Sequence, residues 1–79
     1  MISVKILGTG CNKCKALEQK VRDIAMQNNI EAEFTKVTEI EDIMKYGIMM
    51  TPGLVVNEQV KSCGIIPKEE QIINWLKGN

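Results

Sequence analysis

Two cysteines three residues apart, Cys11 and Cys14, stand between a short β-branched run and a helical pattern in "ISVKILGTGCNKCKALEQ". This placement constrains the chain more than any other feature. A bridge between them would close a very small loop. The chain-entropy model gives such a staple roughly 2 kcal/mol before strain, less than a long-loop bridge supplies. The pair is poorly placed for structure and well placed for chemistry. Three chemistries remain open at this point: a redox pair, half of a metal site, or two quiet buried thiols.

The local pattern predicts a βα junction. "ISVKIL" reads as a strand bounded by Gly8 and Gly10. From Cys11 to about Gln27 the apolar residues Leu17, Val21, Ile24 and Ala25 form one stripe at i, i+4, i+7 and i+8. Asn28 and Asn29 suit a left-handed cap. "EAEFTKV" alternates charged and apolar residues, as an edge strand does. Thr38 and Glu41 form a Thr-x-x-Glu capping box for a short helix with Ile40, Ile43 and Met44 inward, ending near Gly47. "GLVVN" and "QVKSC" read as a hairpin turning around Asn57 to Gln59. Pro67 suits the first position of a last helix, with Ile72, Ile73 and Leu76 inward. Lys5, inside the first strand, is awkward if both faces are covered and is expected to snorkel to a sheet end.

The expected order is βαβαββα: an α/β fold with a mixed four-stranded sheet and three flanking helices, in one domain over residues 1–79. The first two strands should be parallel, because a helix joins them. With 79 residues, of which 44% are hydrophobic, a small core is feasible.

Charge removes some function classes. Ten lysines and arginines balance ten aspartates and glutamates, so nothing argues electrostatically for nucleic acid or an anionic membrane. No apolar run approaches the roughly 18 residues of a membrane span, and the N-terminus lacks a secretory layout. A cytoplasmic monomer is expected. Cysteines in that compartment serve chemistry more than scaffolding. The chain has no histidine, which removes Cys–His hydrolysis. No phosphate loop or dinucleotide fingerprint is present.

A helix N-terminus offers unpaired amides and a partial positive charge. Both favour a thiolate at Cys11, and Lys13 and Lys15 add charge nearby. Cys14, one turn further in, should stay protonated. Activation alone achieves little. A lower pKa raises the thiolate fraction, but nucleophilicity falls with a Brønsted slope of about 0.4–0.5, leaving a gain of a few-fold. A second thiol held one turn away and a docked substrate must supply the rest.

The segments "GTGCNKC" and "TPGLVV" resemble the redox motif and cis-proline segment of minimal, glutaredoxin-sized thioredoxin-fold proteins. The small archaeal and bacterial group called redox-active disulfide proteins is the nearest in kind. "YGIMMTP" is similar to the run before the cis-proline of ordinary thioredoxins, and "CGIIPKEEQIINWL" to their glycine-led final helix. The resemblance covers essentially the whole chain and implies thiol–disulfide oxidoreductase activity without a cofactor or metal. Cys11 then matches the attacking cysteine and Cys14 the resolving one. Pro52 matches the cis-proline, Thr51 the residue whose backbone holds an extended substrate, and Gly64 the glycine before the last helix. The implied partners are disulfide-containing client proteins and a thioredoxin-reductase-like electron donor. Gly10 stands where thioredoxins carry Trp, and no buried acid behind Cys14 is legible.

Two other readings stay in view. A soft-metal module could use Cys11 and Cys14 as thiolates, although copper carriers of this size end in a strand and this chain ends in a helical pattern. A non-catalytic docking domain would leave an intact cysteine pair without a purpose. Cys63 is expected to be a small buried apolar residue, with a regulatory or third redox thiol as the alternative. Met49 and Met50, beside the proline, could form an adaptable apolar patch.

Overall fold

The computed structural model describes residues 2–78. Its elements are β1 (Ile2–Leu7), α1 (Asn12–Gln27), β2 (Ala32–Val37), α2 (Ile40–Met44), β3 (Gly53–Val56), β4 (Gln59–Cys63) and α3 (Glu69–Leu76). The sheet order is β2-β1-β3-β4. β1 runs parallel to β2 and antiparallel to β3, and β3 and β4 form an antiparallel hairpin. The expected βαβαββα order and mixed four-stranded sheet are what the chain adopts.

Burial follows strand position. β3, an inner strand, is buried at all four residues. β2, an edge, alternates half-buried with exposed residues. One sheet face carries Val4, Ile6, Leu54 and Val56 and packs against Leu17, Val21, Ile24 and Ala25 of α1 and Ile72 and Leu76 of α3. The opposite face carries Leu7 and Val55 and has only Ile43 and Ile48 as buried cover, with Val37 and Tyr46 at the margin. Fully burying one such aliphatic side chain contributes about 1.5–3 kcal/mol, so the first face dominates the core.

The thin cover explains Lys5. It lies on the less covered face, where its ammonium donates to Tyr46 Oη (2.9 Å) and pairs with the Glu58 carboxylate. The Glu58 hydrogen bond, with Tyr46 second, raises the Lys5 pKa, and Lys5 lowers that of Glu58. The contribution is therefore present at neutral pH and is lost as pH falls through the lowered Glu58 pKa. Because Glu58 is exposed, the pair is worth little. Glu58→Gln should lower the melting temperature slightly at pH 7, and not at all once acid has protonated the parent's carboxylate. Thermal melts at the two pH values check this.

Turn chemistry agrees with the sequence in two places. Asn29 takes a left-handed φ of 54° after α1, and Asn28 Nδ2 donates to Ile24 O at 2.8 Å. Asn57 and Glu58 both have positive φ between β3 and β4, the conformation of a tight hairpin turn.

Three expectations at helix starts and faces are corrected. α2 is capped by Glu39 without any side-chain hydrogen bond, so Thr38 and Glu41 form no capping box. Five residues make little more than one turn, which buries one position. Ile43 is buried, while Ile40 and Met44 are exposed. α3 begins at Glu69 with Lys68 as its cap, and Pro67 lies before the helix, buried. Its carbonyl accepts from Lys20 Nζ at 2.7 Å, tying α1 to the approach of α3.

Candidate active site

β1 ends at Leu7, and Gly8 N–H donates to Val37 O at 2.9 Å as the last rung to β2. Gly8 is buried against Cys14: a Cβ there would fall 2.3 Å from Cys14 Sγ and 3.1 Å from its Cβ. The chain turns through Gly10, whose φ of +94° is left-handed and suits glycine. Cys11 follows in extended conformation as the cap of α1, and its Sγ accepts the Cys14 N–H at 3.3 Å. The first turn of α1 carries no acidic residue to oppose a thiolate.

Both cysteines are free thiols; Cys11 is exposed and Cys14 buried. The Cys14 thiol, donating to Cys11 Sγ, is the largest influence holding the Cys11 pKa below the usual thiol range. The Cys14 and Lys13 amides act in the same direction. Burial pushes Cys14 up, and its bond to Cys11 adds to that. The two thiols are thus driven apart in acidity, as a site needing one nucleophile and one reserve thiol requires. Alkylation rate follows thiolate content. In a Cys63→Ser background, iodoacetamide should label Cys11 with a rate that levels off at lower pH than for free cysteine, and leave Cys14 largely unlabelled. Peptide mapping against pH reads both.

The strand-end segment completes the arrangement. The Thr51–Pro52 peptide is cis. Pro52 is buried, and its carbonyl accepts the Gly64 N–H at 2.8 Å. Gly64 has φ +75°, and a Cβ there would press on Met50 at 3.1 Å. Thr51, half-buried, lines a surface groove together with Thr9 of the Cys11 turn. A hydrogen bond thus joins Pro52 to Gly64, with Thr51 directly before Pro52 in the chain. Lys13 is exposed and acts on Cys11 through its amide.

Cys63 corrects an expectation: it is exposed. It pairs with Gly53 at the end of edge strand β4, where no neighbouring strand covers it.

A small cavity of about 90 Å³ lies beside Cys14, lined among others by Gly8, Gly10, Glu18 and Lys36. Burial opposes ionisation of Glu18, but Lys36 at 3.1 Å and Arg22 at 3.0 Å outweigh it and lower its pKa. Glu18 was not among the expected site residues. Its position four residues after Cys14, hence on the same helix face, was the available signal. No group of three or more His, Cys, Asp or Glu comes together as a metal site among the described residues.

This geometry has relatives. The sequence model of the thioredoxin domain matches residues 2–77. A thioredoxin of Methanothermobacter thermautotrophicus is 36% identical over 72 residues, covering 91% of this chain and 94% of that protein. One from Methanocaldococcus jannaschii is 34% identical over 77 residues, covering 98% and 88%. The solution structure of the oxidised thioredoxin from Plasmodium falciparum superposes with a TM-score of 0.62 over 96% of this chain and 78% of that one, at 15% identity, a likeness of fold. With the domain match nearly end to end and an exposed thiol capping the helix in front of a buried one, the chain belongs to the thioredoxin domain family and is a thiol–disulfide oxidoreductase.

Proposed function

We propose that Cys11 is the attacking and Cys14 the resolving thiol of a single-domain, monomeric, cytoplasmic reductant of protein disulfides. The observation that carries this reading is the asymmetry of the pair: Cys11 exposed with a lowered pKa, Cys14 buried one turn on with a raised one. The Cys11 thiolate attacks a client disulfide, forming a mixed disulfide and releasing one client thiolate. Cys14 gives up its proton and attacks the Cys11 sulfur. The second client thiol leaves with the electron pair, and the Cys11–Cys14 disulfide remains. Two electrons have passed to the client, and a thioredoxin-reductase-like donor returns them.

The supporting residues have roles in the same scheme. Thr51 offers its backbone to an extended client segment, Pro52 packs beside the pair, and Gly64 leaves room for the client. Lys13 tunes Cys11 through its amide.

Removal of the resolving thiol tests the order of events. Cys14→Ser should accumulate a stable adduct with an oxidised peptide, linked through Cys11 by mass spectrometry of digests. An adduct carried instead by Cys63, or none, overturns the assignment.

A further inference from the structure

Four large apolar side chains are exposed in α2 and in the segment before Pro52: Met49 is 98% exposed, Met44 66%, Ile40 64% and Met50 63%. Ile40, Met44 and Met49 border a groove of about 410 Å³ whose buried lining is Ile43 and Ile48, with Thr9 and Thr51 also on its wall. Thr9 stands two residues before Cys11, and Thr51 directly before Pro52. The groove is thus continuous with the segment that would hold a client. Two methionines on its rim give it adaptable walls.

A second depression, of about 470 Å³, shares Thr9 and Ile40 with the first and is lined by Glu39, Glu41 and Asp42. Asp42 pairs with Lys45 at 3.4 Å. Glu39 and Glu41 form no ion pair among the described residues. The apolar groove therefore has an acidic rim on a chain whose formal net charge is zero. A partner segment lying across both meets apolar surface first and negative charge next.

We propose that this groove selects protein clients in which the attacked cysteine is flanked by a large apolar residue followed by Lys or Arg. The inference rests on the redox reading above and names the substrate class of that site. The apolar side chain enters between Ile40, Met44 and Met49, and the basic group reaches Glu39 and Glu41. A client acidic at the second position meets like charge, which costs affinity and slows encounter. The charge-dependent part weakens with salt, because all three carboxylates are exposed.

The test uses the full chain and five disulfides. Four are peptides identical except at the two positions after the cysteine: Leu-Lys, Leu-Glu, Ser-Lys and Ser-Glu. The fifth, hydroxyethyl disulfide, is small and neutral. The kcat/KM for Leu-Lys should exceed that for Ser-Glu by about tenfold or more, in the range one apolar pocket provides. Met49→Ser should erode the preference for Leu, and the double change Glu39→Gln with Glu41→Gln the preference for Lys. High salt should mimic the second change only. Reduction of hydroxyethyl disulfide should be the same in the parent and both variants. Equal rates for all four peptides, with hydroxyethyl disulfide reduced normally, overturn the groove and leave the redox reading standing. Failure to reduce any of the five disulfides overturns the redox reading itself. A parent dimer in sedimentation that Met49→Ser dissociates would assign the groove to a second copy of this chain, and the proposal would fall.

Discussion

Cys11→Ser should lower disulfide reduction by on the order of 10³-fold or more while leaving the fold as stable as the parent, or slightly more so. The first half follows from chemistry. A serine hydroxyl is not ionised at neutral pH and forms no mixed disulfide, and loss of a nucleophile is among the costliest single changes an active site can suffer. The second half follows from the structure. Residue 11 is the cap of α1, accepting the Cys14 N–H through a sulfur at 3.3 Å. Serine oxygen is a preferred acceptor at that position. Activity and stability are thus expected to part company at one residue. Insulin reduction and thermal melts of the variant measure both, and a parental reduction rate would remove Cys11 from the mechanism.

Gly8→Ala should lose both. The added methyl would fall 2.3 Å from Cys14 Sγ and 3.1 Å from Cys14 Cβ. Something must give: the thiol rotates away from Cys11, or the start of α1 lifts from β1. Overpacking of this kind costs about 1–3 kcal/mol, which for a domain of this size lowers the melting temperature by roughly 5–20 °C. The exchange rate should fall about tenfold or more, because the second thiol no longer sits where attack on Cys11 requires. Gly10→Ala is the matched control. Its Cβ meets nothing within 4 Å, and only its φ of +94° resists, so its cost is conformational. Melting and exchange assays on both variants separate steric displacement from backbone strain. If Gly8→Ala behaves no worse than Gly10→Ala, Cys14 is not held as the structure places it.

The parts of this protein that were legible in its sequence are those where one local rule has no competitor. The stripe Leu17, Val21, Ile24 and Ala25 has a helical period and is buried as a unit. The alternation of 31–37 marked an edge strand, and Asn29 marked a left-handed turn. Cys11 and Cys14 were legible because a strand, a turn and a helix start followed one another in the right order. Pro52 and Gly64 were each assigned by resemblance, and the hydrogen bond between them was not legible, since only the fold brings two loops together. What failed depended on how far an element extends. Thr38 and Glu41 had the letters of a capping box, but α2 starts one residue later, with Glu39 as its cap. Ile40 and Met44 had the spacing of an inner face, but a five-residue helix has one buried position, filled by Ile43. Cys63 was assigned to the interior from its residue type, yet an edge strand has no neighbour to cover it. The partner of Lys5 was illegible because Tyr46 and Glu58 are 41 and 53 residues away in sequence.

In the proposed mechanism, the sulfur that caps α1 is the same sulfur that changes bonding during turnover. As a thiol or thiolate it accepts the Cys14 amide and finishes the helix. Once it is shared in a disulfide its charge is gone and its strength as an acceptor falls. In the oxidised protein the opening turn of α1 is held by the covalent Cys11–Cys14 link, and the hydrogen bond from the Cys14 amide to the Cys11 sulfur is weaker than in the reduced protein. The Cys14 amide thereby becomes a record of redox state, and the rate at which it exchanges with deuterated solvent would read that state without touching either thiol.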